Sequence, residues 1–570
     1  MKKLINDVGS VVADMLHGLV ALNPRLALVE GQHIVVRADA RAAADRGEVA
    51  LISGGGSGHE PAHAGYVGAG MLSAAVAGEV FTSPSTDAVL AAIRAVAGPA
   101  GVLLIVKNYT GDRLNFGLAA ELARAEGIAV ETVIVADDVA LAARGEHAGR
   151  RGLAGTVFVH KLAGAAAAAG RPLAEVAAIA REAATALGTM GVALSACTVP
   201  AAGRPGFTLG EDEIEWGLGI HGEPGVERGR LLPARAVAAR LIARIVEDLD
   251  LPRGERVALL VNNLGATPPG ELDIVAAAAL EALATHGLLV ERAWAGTFLS
   301  ALDMAGVSLS LLKLDEARLR GLDAPTTARA WPAIDGRVGP VRHVHLPVPA
   351  SSSTPAPAAS VQGDPFMQAI DAVCARLVAA EDELTVLDQR VGDGDLGQSL
   401  ARGAQAVQAA RATLPAAPAD ALRELSAIVR RVVGGTSGPL YAVMLMRAAA
   451  ALETSAAADA QAWAQALEAA IAGVAEVGGA APGERTMLDA LVPALTALQT
   501  ALTTGDDALR ALDAAAAAAA DGARASAQLM PRRGRSSYLG ARALGHPDPG
   551  AHAVALWLAA IRDAFASPAA

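Results

Sequence analysis

Short apolar runs alternate with segments of helical period along the first 345 residues of the chain. Each run leads into a glycine-rich or polar turn, and apolar positions spaced three and four apart follow. Such strand–loop–helix alternation is typical of α/β folds, in which ligands bind where strands end and loops begin. The pattern predicts an α/β domain over 1–345, which a break near Pro200–Pro205 divides into two α/β lobes. The predicted strands include 48–52, 101–108, 128–136 and 256–265, and predicted helices end near Glu126 and His286.

Residues 365–570 show only the helical period. Alanine dominates this part of the chain, and Gly/Pro clusters separate the apolar-periodic spans. The pattern predicts an all-helical domain with its chemistry on the loops between helices. The alanine tract at 514–520 is interpreted as helix without functional content. The periodic spans cover 366–387, 399–413 and 419–432.

A segment without any hydrophobic period separates these two parts. Residues 346–364, LPVPASSSTPAPAASVQGD, are rich in Pro, Ser and Ala. This composition is typical of extended, semi-rigid linkers, and such a linker could span about 50 Å at roughly 3 Å per residue. A chain of 570 residues is too long for one core, which agrees with separate domains on either side of a linker.

Charge and composition exclude several classes of protein. A net charge of −12 argues against nucleic-acid and anionic-membrane partners. Two cysteines, Cys197 and Cys374, cannot build a disulfide framework, which fits a reducing compartment. No charge-free apolar run is long enough to predict a membrane span. Because Asn6, Asp7 and Asp14 interrupt the core of a possible signal peptide, we expect a cytoplasmic protein.

The stretch GGGSGHEPAH, residues 54–63, admits two interpretations. Its second half matches the H-E-x-x-H pattern of zinc proteases, which requires both histidines on one helix. Pro61 has no N–H and the preceding glycines disfavour a helix, so His59 and His63 should not share one. We favour a glycine-rich loop that lets the backbone approach a small ligand, with His59 at its end.

A second histidine also lies among glycines. GLGIHG, residues 217–222, matches the dinucleotide pattern G-x-G-x-x-G, but EPGVERG follows it rather than a helix. What remains is His221, which together with His59 and Asp112 suggests one polar pocket. A neutral imidazole can act as a base or nucleophile near pH 7, and a carboxylate can accept a hydroxyl proton. The alternative is a structural histidine.

The strongest candidate site is VLDQRVGDGDLGQSL, residues 386–400. Asp388, Asp393 and Asp395 lie within eight positions, with glycines between them. Clustered carboxylates repel one another unless a cation neutralises them, and oxygen ligands suit Mg²⁺ or Ca²⁺. An EF-hand needs glutamate at its twelfth position, where counting from Asp393 gives Ala404. A solvated acidic turn remains the alternative.

Mg²⁺ held by few carboxylates leaves positions for phosphate oxygens, so phosphate-binding backbone should occur in the same domain. VVGGTSGPL, residues 432–440, offers the amides of Gly435, Thr436 and Ser437 just before an apolar helix. Further candidate loops are GGAAPGERTMLDAL (478–491), RRGRSSYLG (532–540) and HPDPGAHA (546–553).

The P-loop class of nucleotide-binding proteins is excluded. The chain contains no G-x-x-x-x-G-K-[ST] motif, and the last of its five lysines is Lys313. Any triphosphate bound in the helical domain must therefore be neutralised by metal ions, backbone amides and arginines such as Arg485 or Arg535.

Eight motifs occur in order along the chain: GGGSGHEPAHAGYVG, EVFTSPS, KNYTGDRLNF, GIHGEPG, GDGDLG, GGTSG, ERTMLDAL and HPDPGA. With them the chain resembles the single-chain ATP-dependent dihydroxyacetone kinases over nearly its entire length. The resemblance implies an α/β ketose-binding domain and a helical barrel that holds ATP with two Mg²⁺ ions. The implied reaction is phosphorylation of dihydroxyacetone, or a related short ketose, at a primary hydroxyl, and the implied assembly is a homodimer.

The resemblance also implies roles for individual residues. His221 would bind the substrate carbonyl covalently as a hemiaminal, with His59 or Asp112 taking the hydroxyl proton. The residues that match the family's ketose site are Gly56, Ser57, Gly58, His59, Lys107 and Asp112. The residues that match its magnesium ligands are Asp388, Asp393 and Asp395. Those that match its nucleotide contacts are Leu396, Gly397, Gln398, Ser399, Thr436, Ser437, Gly478, Thr486, Met487, Asp548, Pro549 and Gly550.

Two positions depart from the family pattern, and several functions stay open. The family usually has Asp where Glu484 stands and often Glu where Ala541 stands, which bears on the adenine pocket rather than on activity. The alternatives are a four-carbon ketose such as erythrulose, glyceraldehyde, an additional lyase activity that forms cyclic FMN from FAD, a phosphotransferase-dependent relative, and a non-catalytic ketose sensor. The fusion of both domains favours free ATP, and the three aspartates argue against a sensor.

Overall fold

The chain forms two compact units, residues 1–344 and 345–570. The computed structural model describes residues 2–141, 149–334, 336–344, 346, 364–455 and 457–566. Nearly all of the predicted linker, residues 347–363, lies outside the described residues. Within the described part of the chain, no helix is long and apolar enough to cross a membrane.

The first unit begins with a six-stranded sheet in the order β1-β2-β4-β3-β5-β6. The strands β4, β3, β5 and β6 run parallel to one another, whereas β2 pairs antiparallel with both β1 and β4. The six strands are β1 (Leu26–Leu28), β2 (Ile34–Arg37), β3 (Ala50–Ser57), β4 (Ala74–Val80), β5 (Val102–Lys107) and β6 (Val130–Val135).

A second six-stranded sheet follows in the order β11-β10-β12-β7-β8-β9. Only β10 and β11 pair in parallel, and the other neighbours are antiparallel. Its strands are β7 (Leu187–Ala193), β8 (Glu213–Trp216), β9 (Glu227–Arg230), β10 (Arg256–Asn263), β11 (Leu289–Gly296) and β12 (Gly306–Lys313). The prediction of two α/β lobes is confirmed.

Helices cover the outer faces of the sheets, as expected for strands whose residues are buried on both sides. Leu104 of the first sheet faces one apolar cluster, whereas Leu103 faces the large cluster that also contains Leu260 of the second sheet. The helices of this unit are α1 (Val11–Ala21), α2 (Ala40–Asp45), α3 (Thr86–Val96), α4 (Thr110–Ala125), α5 (Thr156–Ala168), α6 (Leu173–Thr185), α7 (Ala234–Asp248), α8 (Pro269–Thr285) and α9 (Glu316–Asp323).

The described part of the second unit is all helical, as predicted. Two apolar clusters, rich in Leu and Ala, fill the space between the helices. The alanine tract lies within one of these helices. The helices are α10 (Pro365–Ala379), α11 (Glu381–Val391), α12 (Leu396–Ala410), α13 (Pro418–Val432), α14 (Ser437–Glu453), α15 (Ala460–Gly478), α16 (Leu488–Thr504), α17 (Ala508–Ala525) and α18 (Pro549–Ala566).

Three sequence predictions about the fold were wrong in detail. Residues 54–57 are the end of strand β3 rather than a loop, because the missing side chains let neighbouring backbone pack closely. The change of lobe falls between β6 and β7, across α5 and α6, and Pro205 only makes a bridge to Thr198 inside the second lobe. The span 366–387 is two helices that meet at the fully buried Ala380, where no Gly or Pro marks the break.

Candidate active site: a histidine pair and an aspartate cluster

The predicted ketose residues lie at the carboxyl edge of the first sheet. Strands β3 and β5 are parallel, so Ser57 and Lys107, their last residues, lie at the same edge. His59 follows β3, and Asp112 lies in the first turn of α4, which follows β5. This edge is where ligands bind in open α/β sheets.

His59 and His221 form a pair although they lie in different lobes. Their Nε2 atoms are 3.0 Å apart. His59 is fully buried, and its Nδ1 lies 2.9 Å from the backbone oxygen of Ser300. The ring of Phe81 stacks on His59 and meets the His221 ring edge-on, and Tyr109 packs against His221 as well. Burial lowers the pKa of His59 well below its ordinary value, and the charges of Lys107 and His221 lower it further.

Glu223 holds His221 in place. One carboxylate oxygen lies 2.9 Å from His221 Nδ1, and the other accepts the backbone N–H of the same residue at 2.9 Å. Although burial acts to raise the pKa of Glu223, the hydrogen bond and the charge of His221 lower it to about 2. Arg151 donates to the Gly217 carbonyl at 2.5 Å and to Asp138 at 2.6 Å, which fixes the loop that carries His221 to the first lobe.

Lys107 and Asp112 face the space beside Gly55. A Cβ atom built on Gly55 would lie 3.4 Å from Asp112 Oδ2 and 3.7 Å from Lys107 Nζ. Burial lowers the pKa of Lys107, although the Asp112 carboxylate acts to raise it. Within the described residues its ammonium group has no hydrogen-bond partner. An unpartnered buried donor that faces a carboxylate across the space beside a glycine suits a small polar ligand.

The HEPAH segment does not have the geometry of a zinc-protease motif. No α-helix joins His59 and His63, and only a short 3₁₀ turn, Ala64–Tyr66, follows them. His63 Nδ1 lies 3.0 Å from Nε2 of His160, away from the partner of His59. Glu60 instead accepts the N–H of Gly58 at 3.0 Å, which fixes the turn that presents His59. The rejection of the zinc interpretation is confirmed by this geometry.

The dinucleotide interpretation of GLGIHG fails for the predicted reason. Strand β9 follows this turn, and no helix begins at it. The glycines serve another purpose, because a Cβ atom on Gly219 would lie 2.0 Å from Glu223 Oε2 and 2.6 Å from Arg151 Nη1. The space that a side chain would fill is thus occupied by the groups that hold His221.

We expect Gly56→Ala to destabilise the first unit by about 1–3 kcal/mol, the usual cost of forcing extra atoms into a packed site. The added Cβ atom would lie 2.6 Å from Thr82 N and 2.8 Å from Phe81 Cα, and both of these are backbone atoms. Thermal unfolding measures the effect. Gly117→Ala is the matched control, since nothing lies within 4 Å of its Cβ position in helix α4. Equal unfolding midpoints for the two variants would contradict the close packing at Gly56.

The three predicted metal ligands come together in the second unit. Oxygen atoms of Asp388, Asp393 and Asp395 lie within 4.8 Å of one another, and Asp388 is the buried member. Asp388 projects from α11 and accepts the N–H of Leu396, the first residue of α12, at 3.3 Å. Three converging carboxylates fit a hard divalent cation such as Mg²⁺.

The predicted phosphate-binding backbone lies next to this cluster. A Cβ atom on Gly435 would be 3.7 Å from Asp395 Oδ2, and Ser437 begins helix α14. The N-termini of α12 and α14 thus both lie near the aspartates, and helix N-termini favour anions. Arg535 forms an ion pair with Asp393, so one predicted arginine also reaches the cluster.

Other predicted nucleotide contacts lie at helix ends of the same unit. Gly478 ends α15 beside Leu440 of α14, and Met487 lies beside Gly550 at the start of α18. Burial raises the pKa of Asp548 to about 6. The other predicted contacts take similar positions: Gly397, Gln398 and Ser399 lie in the first turn of α12, Thr436 precedes α14, Thr486 precedes α16 and Pro549 begins α18.

Arg485 and Glu484, which the sequence analysis singled out, both make hydrogen bonds to other residues of this unit. Arg485 is 1 % exposed and donates to the carbonyls of Ala543 and His546 at 3.1 and 2.9 Å. Its guanidinium therefore holds the loop 543–546, which precedes α18, in place. Glu484, where the family usually has Asp, accepts the N–H of Ala481 at 3.0 Å and contacts Arg533.

Sequence reasoning missed four residues of the histidine site: Glu223, Phe81, Tyr109 and Ser300. The first three lie inside quoted motifs, and the position of Glu223 two residues after His221 was an available signal. Ser300 contributes only its backbone carbonyl, at 241 positions from His59, so no sequence signal could reveal it.

Comparisons with known proteins agree with this architecture. The Dak1 domain model matches residues 17–330 and the DAK2 domain model matches residues 390–563. The chain is 48% identical to a putative 3,4-dihydroxy-2-butanone kinase of Solanum lycopersicum, over 98% of this chain and 97% of that protein. It is 45% identical to a triokinase/FMN cyclase of Bos taurus, over the full length of both.

Among solved structures, the dihydroxyacetone kinase of C. freundii in complex with AMP-PNP and Mg²⁺ matches with a TM-score of 0.62. The two chains are 36% identical, and the match covers 99% of each. These matches define the class as kinases that join an α/β domain and a helical domain in one chain. The chain belongs to the dihydroxyacetone kinase family.

Proposed function

We propose that this protein transfers the γ-phosphoryl group of ATP to a primary hydroxyl of dihydroxyacetone or another short ketose. The observation that carries the proposal is the convergence of Asp388, Asp393 and Asp395. It is supported by the alignment of nearly the whole chain with a kinase crystallised with AMP-PNP and Mg²⁺.

In the first unit, the histidine pair and its neighbours would bind the ketose. His221 Nε2 would attack the carbonyl carbon and form a hemiaminal, and Gly56, Ser57 and Gly58 would line the pocket. The reacting hydroxyl must lose a proton as phosphoryl transfer proceeds, and Asp112 or His59 would accept it. The buried Lys107 ammonium would donate a hydrogen bond to a substrate oxygen, which supplies its missing partner.

In the second unit, Asp388, Asp393 and Asp395 would hold two Mg²⁺ ions. When bound, these ions compensate the negative charge that develops on the transferred phosphoryl group. The amides at the starts of α12 and α14 would contact phosphate oxygens. Arg535, which forms an ion pair with Asp393 in this structure, would instead pair with the nucleotide when ATP is bound. No lysine occurs after Lys313, so backbone and arginine replace the P-loop lysine. We further propose a cytoplasmic homodimer.

The proposal is tested by ADP release over a panel of dihydroxyacetone, glyceraldehyde and erythrulose. At least one sugar should raise ADP release well above the rate without sugar, and the sugar with the highest kcat/KM identifies the physiological class. ADP release that no sugar stimulates would contradict the proposed kinase.

A second activity is favoured by one specific similarity. The Bos taurus relative, which aligns over the full length of the chain, is named triokinase/FMN cyclase. We therefore propose that FAD is cleaved to cyclic FMN and AMP in the absence of ketose. Chromatography of FAD incubated with the protein and a divalent cation tests this, and unchanged FAD would contradict it.

We expect the two units to bind their ligands separately. Each has its own buried apolar clusters, and the aspartates lie only in the second. Calorimetry on residues 1–346 should show dihydroxyacetone binding without ATP binding, and residues 365–570 should bind Mg-ATP. ATP binding by the first fragment alone would contradict the assignment of the two sites.

A further inference from the structure

Two bulky residues beside the turn that carries His59 have a left-handed backbone conformation. Phe81 follows strand β4 of the first lobe and has φ of 60°, and Leu302 lies between β11 and β12 of the second lobe and has φ of 56°. Such angles are rare for residues other than glycine, asparagine and aspartate, and they are unfavourable for bulky side chains. A strained backbone of this kind persists only where the surrounding structure requires it, and it is concentrated at functional sites.

Glycines next to both residues leave room for these conformations. A Cβ atom on Gly56 would lie 2.8 Å from Phe81 Cα, and a Cβ atom on Gly265 would lie 2.0 Å from the carbonyl oxygen of Leu302. In both cases the backbone of the strained residue occupies the space that a side chain would need. The neighbouring chain in each lobe is therefore built around the strained conformation.

Both strained residues hold the turn that carries His59 through their backbone. The N–H of Phe81 donates to the carbonyl of Ser57 at 2.9 Å, and the N–H of Leu302 donates to the carbonyl of Gly58 at 2.7 Å. Two consecutive carbonyls of the turn are thus bound, one by each lobe. The position of the turn depends on both lobes at once.

The side chains of the two residues meet beside the same turn. A Cβ atom on Gly58 would lie 2.8 Å from Cε1 of Phe81 and 3.1 Å from Cδ2 of Leu302. The Phe81 ring also stacks on His59, with ring centroids 5.1 Å apart, and meets the His221 ring edge-on at the same centroid distance. The two apolar side chains therefore fill the space into which the turn and the His59 ring would otherwise move.

We propose that Phe81 and Leu302, one from each lobe, act together as positioning residues that hold His59 against His221 for ketose binding. The inference rests on the proposed ketose-binding function and deepens it. Both residues act through the turn at Gly58 and through the imidazole rings, and neither is a catalytic residue. The left-handed conformation serves this role, because it lets one residue present both a backbone N–H and an apolar side chain to the turn.

Single variants should weaken ketose binding and leave nucleotide binding unchanged. Phe81→Leu removes the ring that covers both imidazoles, so KM for dihydroxyacetone should rise about tenfold while KM for ATP stays at the wild-type value. Leu302→Asn should raise KM for dihydroxyacetone about fivefold. Asparagine tolerates the left-handed conformation, so the backbone N–H still reaches Gly58 and only the apolar contact is lost. Kinetics of ketose-dependent ADP release by the full chain measures both constants, and calorimetry with dihydroxyacetone measures binding directly.

The double variant tests whether the two residues act together. Residues that act on separate features change KM by factors that multiply, whereas residues that share one contact give a combined effect smaller than the product. We expect Phe81→Leu with Leu302→Asn to raise KM for dihydroxyacetone about fifteenfold rather than about fiftyfold. A combined effect equal to the product of the single effects would overturn the joint role.

Phe158→Leu is the matched control, since it makes the same substitution at a fully buried ring of the same unit. That ring contacts Trp294 and Trp331. The control should lower the unfolding midpoint and leave KM for dihydroxyacetone near the wild-type value. If KM rises as much in Phe158→Leu as in Phe81→Leu, the effect is general destabilisation and the proposal is wrong.

The remaining outcomes separate this proposal from the proposed function. Wild-type KM for dihydroxyacetone in both single variants would overturn the positioning role. If Phe81→Leu does not fold, Leu302→Asn decides the question alone, because Leu302 is only partly buried and its substitution disturbs the core less. A wild-type protein that neither binds dihydroxyacetone nor releases ADP in its presence would instead contradict the proposed function.

Discussion

Asp393→Asn and Asp395→Asn should each lower turnover by about a thousandfold or more while leaving dihydroxyacetone binding intact. Either change leaves a divalent cation with two carboxylates in place of three, so the charge that develops on the phosphoryl group is less well compensated. Binding of the ketose should persist, because its proposed site lies in the other unit. Steady-state kinetics at saturating ATP and calorimetry with dihydroxyacetone measure the two effects.

The matched control for these variants is Asp382→Asn, an exposed aspartate in the first turn of the helix that carries Asp388. It removes the same charge from the same unit without touching the cluster, and turnover should stay near the wild-type value. Near-normal turnover of Asp393→Asn in excess Mg²⁺ would show that the cluster is only an acidic turn.

The second large effect is expected for His221→Ala. We expect KM for dihydroxyacetone to rise about a hundredfold, equivalent to about 2.7 kcal/mol, with ATP affinity unchanged. Attack on the carbonyl is not required for phosphorylation of a neighbouring hydroxyl, so the covalent bond would serve recognition. A hemiaminal forms only with aldehydes and ketones, which lets the pocket reject glycerol. Loss of this bond should therefore permit slow glycerol phosphorylation.

The adduct itself can be observed. Continuous electron density between His221 Nε2 and the substrate carbonyl carbon in a soaked crystal would support the covalent bond. His33→Ala is the matched control for His221→Ala in the binding measurement. The side chain of His33 is 40% exposed, and its Nδ1 comes no closer than 3.9 Å to the Glu79 carboxylate. If wild type and His221→Ala bind dihydroxyacetone with equal affinity, His221 is a structural histidine.

Much of this architecture could be predicted because its signals are local. The strands before Asn108 and Leu264 are short apolar runs that end in polar turns, and both appear where predicted. The aspartates of GDGDLG and Asp388 lie within eight residues, so one helix end and one turn bring them together. Patterns of this kind depend on spacing alone, which a sequence displays directly.

The rest depends on contacts between distant residues. His59 and His221 are 162 positions apart, and the packing of the two lobes in one unit brings their Nε2 atoms to 3.0 Å. Phe81 adopts a left-handed backbone conformation, with φ of 60°, at the point where its ring covers both histidines. No propensity rule predicts such a conformation for phenylalanine. The sequence predicts a loop at the glycines of β3, because the neighbours that require them are not visible in it.

We propose that this chain joins a ketose site to a Mg-ATP site for phosphoryl transfer. The most direct measurement is phosphorus NMR of the wild-type protein with ATP, Mg²⁺ and dihydroxyacetone. We expect ADP and a ketose phosphomonoester to appear in equal amounts, and neither to form when EDTA removes the metal. If ADP and inorganic phosphate accumulate without any phosphomonoester of the ketose, the protein hydrolyses ATP and does not phosphorylate the ketose, which would contradict the proposal.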